Sequence, residues 1–307
     1  MSSEFSKIIK TQAQRLGFSA CGIAKAEPVE EKVAQAFKRW IANGNNADMH
    51  YLENYEDKRL DPRLLMEGVK SIVCVALNYA PAKRIPEKEP QIAAYAYGKD
   101  YHYIVKEKLQ QLAESLGITL FRAFSDSAPI LERYWAVKAG LGWIGKNRQL
   151  VIPHAGSMFF LGELFIEQET TYDTPLPNYC GNCRACIDAC PTGALADIFD
   201  AKRCISYQTI ENRGEIPSDI RHKMGNSIYG CDRCQQACPH NRFAQPTDEP
   251  LLQPSQELLT MTEEKWLNLT EEDYQRLFKG SAVKRAKYSG MMRNINTIHQ
   301  KTKDKKD

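Results

Sequence analysis

The stretch CGNCRACIDACP at residues 180–191 decides how this chain is organised. A shorter copy, CDRCQQACP, follows at residues 231–239. In both runs the last two cysteines are separated by three residues, the earlier ones by two, and a proline follows the last. Cys204 lies between the two runs as an eighth thiol. In iron–sulfur domains this spacing holds two 4Fe–4S cubes, so it predicts a protein that handles single electrons at low potential.

The spacing also predicts which thiols share a cluster. Three thiolates that are two residues apart can wrap one cube along a tight turn, while the fourth, before the proline, binds the other cube. This crossing assigns one cluster to Cys180, Cys183, Cys186 and Cys238. It assigns the other cluster to Cys190, Cys231, Cys234 and Cys204. Cys204 completes the second set because an insertion, residues 205–230, has displaced the first cysteine of the second run upstream.

Zinc and disulfides are the alternative uses of these thiols. Zinc ribbons also use Cys-x2-Cys pairs, but usually two pairs without a closing Cys-Pro. Disulfides require an oxidising compartment. Cys21 and Cys74 lie outside the pattern, and Cys74, in the apolar run 72–77, is predicted to be a small core residue.

Length and composition indicate a globular protein of about two domains. The chain has 307 residues, 43% hydrophobic and 26% charged. No apolar run reaches the roughly 18 residues of a membrane span, so no membrane partner is expected. The first 18 residues mix charged and apolar side chains and lack the apolar core of a signal peptide. Reduced thiols without an export signal predict a cytoplasmic location.

Positive charge is concentrated at the C-terminus. Residues 279–307 carry nine Lys or Arg against two Asp, a net +7, although the whole chain is only +3. A basic segment of this kind is a candidate surface for a polyanion. For residues 279–293, where apolar side chains are interleaved, we expect such contact; for the tail 301–307 a solvated terminus is the favoured interpretation.

Patterning divides the chain into three predicted regions: 1–167, 168–245 and 246–307. In the first region, residues 72–77 and 159–166 are predicted strands, the former buried on both faces. Helices are predicted near the N-terminus, along the face Val105 to Leu116, and at 130–139 with Pro129 in its first turn. The middle region holds the cysteine motifs, and the last is predicted to be helical.

Two further unusual segments lie before the cysteines, SDSAPILER (125–133) and AGLGWIGKN (139–147). By local rules Asp126 is a good N-cap for the following helix. The glycines at 140, 142 and 145 predict a loop whose backbone approaches a large polar ligand, with Lys146 and Asn147 as donors.

These segments, with YGKDYH (97–102), MGNSIYGC (224–231) and both cysteine motifs, resemble the epoxyqueuosine reductase family in the same order. The resemblance runs from about residue 46 to residue 294. Some members continue into a helical-repeat extension, whereas this chain ends in a lysine tail.

The resemblance implies an α+β fold: a nitroreductase-like cobalamin-binding domain, a ferredoxin-like domain with two 4Fe–4S clusters, and a short helical C-terminal segment. It implies an enzyme that reduces epoxyqueuosine to queuosine at the wobble position of tRNA anticodons, the last step of queuosine biosynthesis. The clusters would feed electrons from an unidentified low-potential donor to cobalamin.

The resemblance also implies roles for individual residues. Asp126 matches the proton donor of the family and would contact cobalamin, and a general acid requires a pKa raised by burial. Other candidate cobalamin contacts are Met49, Lys146, Asn147, Ser157 and Ser206. Each of these could instead make ordinary loop hydrogen bonds. His102 is expected to be a surface residue, and His240 a neighbour of a cluster rather than a ligand.

Candidate tRNA contacts are basic residues of the inserted segment and the C-terminal region, and scattered surface charge is the alternative. They are Arg213, Arg221, Lys223, Lys284 and Arg285.

Two other functions use similar parts. A reductive dehalogenase also joins cobalamin to two cubes, but that family usually carries an export signal. A plain electron shuttle would not need the 167 residues that precede the clusters.

Overall fold

The structure, a computed structural model, describes residues 2–303. Its strands are β1 Ala20–Lys25, β2 Ser71–Asn78, β3 Gln91–Ile92, β4 Phe121–Phe124, β5 Trp143–Ile144, β6 Leu150–Val151, β7 Phe159–Ile166 and β8 Ser227–Tyr229. Its α-helices are α1 Ser2–Arg15, α2 Glu31–Ala42, α3 Glu56–Leu60, α4 Tyr101–Ser115, α5 Glu132–Lys138, α6 Ala185–Asp188, α7 Ile205–Ile210, α8 Ser218–Arg221, α9 Arg233–Gln236, α10 Gln256–Leu259, α11 Glu263–Leu267, α12 Glu271–Leu277 and α13 Lys287–Lys303. Short 3-10 helices lie at His50–Leu52, Pro62–Leu64, Ala94–Ala96, Ala201–Arg203, Pro239–Phe243, Pro250–Leu252 and Ala282–Ala286.

An antiparallel sheet of order β1-β2-β7-β4 forms the centre of the N-terminal region. The two predicted strands are β2 and β7, and they are its two inner strands. Side chains of β2 alternate between two cores, as the period of a strand requires. Val73, Val75 and Leu77 pack towards α1 and α4, whereas Ile72 and Cys74 pack towards α5. The prediction that this strand is buried on both faces is confirmed, and so is Cys74 as a core residue, at 1% exposure.

The helices that cover the sheet follow simple local signals. In α1, Ile9 and Ala13 are fully buried against the sheet. In α4, the side chain of Asp100 accepts a hydrogen bond from the backbone of His102 and caps the helix. The helix ends before Gly117, whose φ of +67° suits glycine, so the prediction for this helix is confirmed.

The prediction for the next helix is wrong at its start. The helix α5 begins at Glu132 with Leu131 at its N-cap, not at Ile130 with Asp126 as the cap. Asp126 has a left-handed backbone, φ +58°, and residues 125–130 form tight turns in which Ser127 donates to Ser125 and Ile130 to Ala128. The side chain of Asp126 is therefore free of a capping role.

A third core joins parts of the chain that are far apart in sequence. It packs Ile92 and Tyr97 from the first predicted region with Ile228 and Tyr229 from the second. Residues of α11 to α13, Trp266 among them, complete it, so the helical C-terminal segment is confirmed. Strand β3 also pairs with β8 in parallel. The core thus crosses both proposed region boundaries, and the three-part division remains a prediction.

No helix of residues 2–303 is both long and apolar enough to cross a membrane. The last four residues of the basic tail lie outside the described part of the chain, as do the side chains of residues 301–303.

Candidate active site

A cavity of about 1810 Å³ opens between the sheet and the segment that carries the cysteine motifs. This volume exceeds the roughly 300–1,000 Å³ of drug-sized ligand sites, so the cavity suits a large ligand. Its wall draws on segments from most of the chain. They include residues 49–59, 100–102, 126–134, 144, 147–149, 190–206, 229–235 and 281–287.

One corner of the cavity holds Asp126 between an aromatic hydroxyl and an imidazole. The hydroxyl of Tyr101 donates to Oδ2 of Asp126 at 2.5 Å, and Nε2 of His102 lies 3.2 Å from the same oxygen. Nδ1 of His102 lies 2.6 Å from Oδ1 of Asp100. The ring of Tyr101 is stacked between His102, at 4.2 Å, and Phe160, at 4.1 Å. Stacking and hydrogen bonds thus hold Asp126 and its partners in one geometry.

The electrostatics of this corner place the proton on the histidine. Desolvation in the cavity wall would by itself raise the pKa of Asp126, but hydrogen bonds from His102 and Tyr101 and the charges of His102 and Arg133 lower it below its ordinary value. Burial would lower the pKa of His102, yet hydrogen bonds with Asp100 and Asp126 raise it to about 9. The expectation of a raised pKa at Asp126 is therefore wrong for the chain without a ligand, because the expectation left out the imidazolium.

Two further acids stand behind Asp126. The backbone N–H of Asp126 donates to Oε1 of Glu132, and Glu132 also lines the cavity. Glu163 of β7 is fully buried in the sheet, and neither of its carboxyl oxygens has a hydrogen-bond donor among the residues described. Burial, followed by the charge of Asp126, raises the pKa of Glu132 to about 8. Burial and the charge of Glu132 raise the pKa of Glu163.

The eight motif thiols fall into two spatial sets. The inner thiol set, Cys190, Cys204, Cys231 and Cys234, lines the large cavity. The outer thiol set, Cys180, Cys183, Cys186 and Cys238, lines a separate pocket of about 20 Å³. The two sets contain the same cysteines as the two clusters of the crossing scheme. That these cysteines bind clusters remains a prediction.

Donors to sulfur flank both sets. The indole N–H of Trp143 lies 3.4 Å from Sγ of Cys180, and a guanidinium nitrogen of Arg233 lies 3.7 Å from Sγ of Cys231. Hydrogen bonds to sulfur are one means by which a protein tunes the potential of a cluster. All ten cysteines are free thiols.

No three His, Cys, Asp or Glu side chains within residues 2–303 converge to hold a single metal ion. The ligands of a cube bind different irons of the cluster, so they surround a volume instead of meeting at one point.

Comparisons with known proteins decide the family. A family model described as epoxyqueuosine reductase QueG, DUF1730, matches residues 59–127, and a model of a 4Fe–4S double cluster binding domain matches residues 179–241. A protein named epoxyqueuosine reductase from Cellulophaga algicola is 46% identical over 299 residues, which cover 95% of this chain and 97% of that protein. The chain belongs to the epoxyqueuosine reductase family. The predicted family and enzyme class are confirmed, and the dehalogenase and shuttle alternatives are set aside.

Solved structures of the family agree with this fold. A selenomethionine-labelled epoxyqueuosine reductase superposes with a TM-score of 0.89 at 28% identity, covering 98% of this chain and 82% of the other. An epoxyqueuosine reductase in complex with an epoxyqueuosine-modified tRNA-Tyr stem loop superposes with a TM-score of 0.87, also at 28% identity and with the same coverage. The predicted α+β fold, with a 4Fe–4S domain after the first region, is confirmed.

Within this epoxyqueuosine reductase fold, the predicted cobalamin contacts separate into two groups. Met49, Asn147 and Ser206 line the large cavity together with Asp126. Lys146 does not: it lies at the small pocket, where its ammonium donates to the carbonyls of Gly181, at 2.7 Å, and Cys183, at 2.9 Å. The structure therefore gives Lys146 a place beside the outer thiol set.

Ser157 is also away from the cavity. It is 3% exposed, and its backbone N–H donates to Oδ1 of Asn241 at 2.6 Å. Its carbonyl accepts from the side chain of Gln235 at 2.8 Å. These bonds join the sheet to the α9 segment, and the predicted contact of Ser157 with cobalamin stays a prediction.

The predicted tRNA contacts separate in the same way. Arg213, Lys284 and Arg285 are exposed and line the cavity. Arg221 and Lys223 lie outside the cavity wall. Arg285 donates to Glu211 through three bonds of 2.9, 3.2 and 2.7 Å and lies 5.6 Å from the ring of Tyr51. Arg213 donates to the carbonyls of Arg285 and Ala286.

Close packing within the chain requires glycine in this loop, and the predicted approach of its backbone to a ligand stays a prediction. A side chain at Gly142 would lie 2.0 Å from the carbonyl of Val151, so this glycine allows β5 to pair with β6. The hairpin turn then presents Asn147, Arg148 and Gln149 to the cavity.

The acid corner comprises Asp100, Tyr101, His102 and Asp126, and several residues in it or behind it could not be identified from the sequence. His102 was expected at the surface but lies beside Asp126, and His240 lies at the small pocket, as a neighbour of the outer thiol set. Tyr101, Glu132 and Glu163 were not singled out at all. An acid inside the apolar strand 159–166 was the one signal that could have identified Glu163.

Proposed function

We propose that this chain reduces epoxyqueuosine to queuosine at the wobble position of tRNA anticodons, with cobalamin in the large cavity and a 4Fe–4S cluster in each thiol set. One observation carries the proposal. Asp126 and the inner thiol set line the same cavity of about 1810 Å³, so a proton source and an electron source face one space. Removing an epoxide oxygen requires two electrons and two protons, and both kinds of group are present.

The donors in the cavity wall suit cobalamin. Nε of Arg59, Nδ2 of Asn147 and Nε of Arg148 are buried N–H groups without a partner in the described part of the chain, and all three residues line the cavity. A buried donor without an acceptor is costly, so a ligand rich in acceptors would stabilise this wall. The amide carbonyls and phosphate of cobalamin are such acceptors. With Met49 and Ser206, these residues are the proposed cofactor contacts.

The two thiol sets suggest an order for electron transfer. Cys183 of the outer thiol set is exposed, whereas the inner thiol set lines the cavity. An external low-potential donor would therefore reduce the outer cluster first, and the inner cluster would pass electrons to the cavity. When bound, cobalamin supplies a cobalt centre that low-potential clusters can reduce.

The residues of the acid corner would hold and move a proton. His102 carries it at neutral pH, since hydrogen bonds with Asp100 and Asp126 outweigh burial and raise its pKa to about 9. Asp126, between His102 and the Tyr101 hydroxyl, faces the cavity and would deliver that proton to the oxygen of the opened ring. Asp126 is thus the proposed catalytic residue, and His102 is the group that supplies it with a proton.

The basic rim would hold the tRNA. Lys284 and Arg213 are exposed at the cavity and can neutralise phosphates. Tyr51 is 47% exposed and could stack on a base, with Arg285 already against its ring.

We also propose that residues 1–167 form a nitroreductase-like domain and residues 168–245 a ferredoxin-like domain. Residues 246–307 would then form the C-terminal segment. The cytoplasm, where tRNA is modified, is the proposed location, and no membrane partner is invoked.

The test is metal analysis and turnover under anaerobic conditions. Protein reconstituted with cobalamin should contain cobalt and iron, show corrin and cluster absorption, and convert epoxyqueuosine in tRNA to queuosine with a strong reductant. Iron without cobalt binding, or loaded protein that forms no queuosine, would disprove the proposal.

A further inference from the structure

Glu163 is a carboxyl group that the proposed reaction does not yet use. It lies in the middle of β7, directly opposite Cys74 of β2 and Phe124 of β4. Its side chain is on the face of Phe165, beneath α5, and its exposure is 0%. An ionised carboxylate without a donor is strongly disfavoured in such a place, so Glu163 holds a proton.

Glu132 is the group that can share this proton. Glu132 is the first charge that acts on Glu163, and Asp126 is the next. A side-chain hydrogen bond with Glu132 also acts on Glu163, so the two carboxyl groups lie within reach of each other, and neither oxygen of Glu163 has another donor among residues 2–303. When one of the two is protonated, its O–H can donate to the other, as in other carboxyl pairs that share a site.

Glu132 connects the pair to the acid corner. Its Oε1 accepts from the backbone N–H of Asp126, and this bond holds the left-handed turn at Asp126 against the start of α5. The charged or titratable groups that face the pair are Asp126, Arg133 on α5, Tyr101 and His102 on α4, and Cys74 on β2. None of these is a residue of the two thiol sets.

We propose that Glu132 and the buried Glu163 form a carboxyl pair that stores the second proton of the reaction and passes it through Asp126. The inference rests on the proposed function, in which Asp126 delivers protons to the substrate oxygen. His102 supplies the first proton and the carboxyl pair the second.

The cavity makes an internal store necessary. In the free chain the side chain of Asp126 is 56% exposed, so water can protonate it directly. Once cofactor and tRNA fill the cavity, water is excluded from Asp126 and the second proton must come from the protein side. Glu163 lies on that side, and Glu132 connects it to Asp126 in the cavity wall.

The transfer balances without a further reactant. The O–H bond of Glu163 breaks as its proton moves to Glu132, which forms a new O–H bond. The O–H bond of Glu132 then breaks, its electron pair stays on the Glu132 oxygen, and a new O–H bond forms on the Asp126 carboxylate. The charge left on the pair is neutralised by a proton from water after the product leaves, and no group of the pair is oxidised or reduced.

Infrared spectroscopy tests the store without turnover. The cluster-loaded full chain at pH 7 should show the C=O stretch of a protonated carboxyl, well above the carboxylate band and shifted in deuterium oxide. The difference spectrum between the unsubstituted protein and Glu163→Gln should contain this band, while the difference spectrum for Glu169→Gln, a substitution of an exposed acid just beyond β7, should not. A difference spectrum for Glu163→Gln without the band would overturn the store.

Kinetics test the transfer. Glu132→Gln keeps an oxygen that can accept from the Asp126 backbone but cannot pass on a proton, so it separates proton transfer from positioning. In single turnovers of prereduced enzyme, Glu132→Gln and Glu163→Gln should each slow queuosine formation by about 10-fold or more, with unchanged tRNA affinity and an altered pH profile. Rates and pH profiles equal to those of Glu169→Gln would refute the supply role.

The outcomes separate this inference from the proposed function. If Asp126→Asn is as fast as the unsubstituted enzyme, the acid role in the proposed function fails, whatever the infrared band shows. If Asp126→Asn is slow but both Gln variants match the Glu169→Gln control, the proposed function stands and the carboxyl pair is refuted.

Discussion

Nε2 of His102 lies 3.2 Å from Oδ2 of Asp126, while Nδ1 of the same ring lies 2.6 Å from Asp100. The imidazole is thus held between two carboxylates and remains protonated above neutral pH. In the free chain His102 therefore holds the proton at this corner of the cavity, and Asp126 is the group that can pass it on.

Asp126→Asn removes the carboxyl group that would donate the proton and keeps the size of the side chain. We expect cluster content and cobalamin affinity to be unchanged and turnover to fall by about 10² to 10⁴. Single-turnover formation of queuosine measures the rate, and absorption spectra confirm that the cofactors are bound. Unchanged turnover would exclude Asp126 as the general acid.

His102→Gln removes the charge of the imidazolium. Because hydrogen bonds with Asp100 and Asp126 outweigh burial and raise the pKa of His102 from 6.5 to about 9, kcat/KM should decline as pH rises through about 9. The folded state binds this proton more tightly than the unfolded chain. Its contribution to the free energy of unfolding is therefore complete below pH 6.5 and lost through pH 9.

In His102→Gln both pH dependences should disappear. His222→Gln, an exposed histidine outside the cavity wall, is the matched control. Rate and stability profiles for His102→Gln that overlay those of the control would contradict the assignment of the proton to His102.

Cys204→Ser tests the crossing of the two thiol sets. The inner cluster should be damaged and the outer cluster kept, so iron content should fall from about eight to about four per chain. Cys21→Ser, outside both sets, should retain the full content. Complete iron recovery with normal spectra in Cys204→Ser would show that another residue is the fourth ligand.

Lys146→Met tests whether this residue supports the outer thiol set or contacts cobalamin. Since its ammonium donates to the carbonyls of Gly181 and Cys183, its loss should loosen the loop of the outer thiol set and speed oxygen damage to that cluster. Cobalamin affinity should not change. Spectral decay in air and cobalamin titration measure the two effects, and a weakened cobalamin affinity would restore the original prediction.

Lys284→Ala and Lys223→Ala form a matched pair for tRNA binding. Lys284 lines the cavity and Lys223 does not, although both are exposed lysines. If Lys284 contacts a phosphate, its loss should weaken binding and reduce the dependence of log K on log salt by about 1, while Lys223→Ala leaves both unchanged. Equal effects of the two substitutions would mean that the rim has no special role.

Prediction from sequence succeeded where geometry is local. The cysteine runs restrict their thiols to two sets because spacings of two or three residues leave few ways to surround a cube. Strands β2 and β7 were predictable because continuous apolar runs of this length are buried in a sheet. The family resemblance was carried by motifs of the same local kind, such as residues 125–133.

Prediction failed where segments meet across the fold. His102 follows an unremarkable tyrosine in sequence, yet α4 brings it to Asp126, 24 residues away. Lys146 and Asn147 are neighbours in the chain, but the hairpin turn sends the ammonium of Lys146 to the outer thiol set and places Asn147 at the wall of both pockets. Likewise, Asp126 was predicted to cap a helix, but its backbone is left-handed and Leu131 is the N-cap.

The order of residues alone settled the chemistry of this protein: eight thiols in two sets, an acidic turn before α5 and a basic C-terminal segment. The three-dimensional packing alone decided where the protons reside. The pKa of Asp126, His102, Glu132 and Glu163 depends on which charges and donors come within a few ångströms, and the register of β7 against β2 and β4 determines that. Covalent spacing constrains neighbours in the chain, whereas burial and electrostatics act between groups that only the folded state brings together.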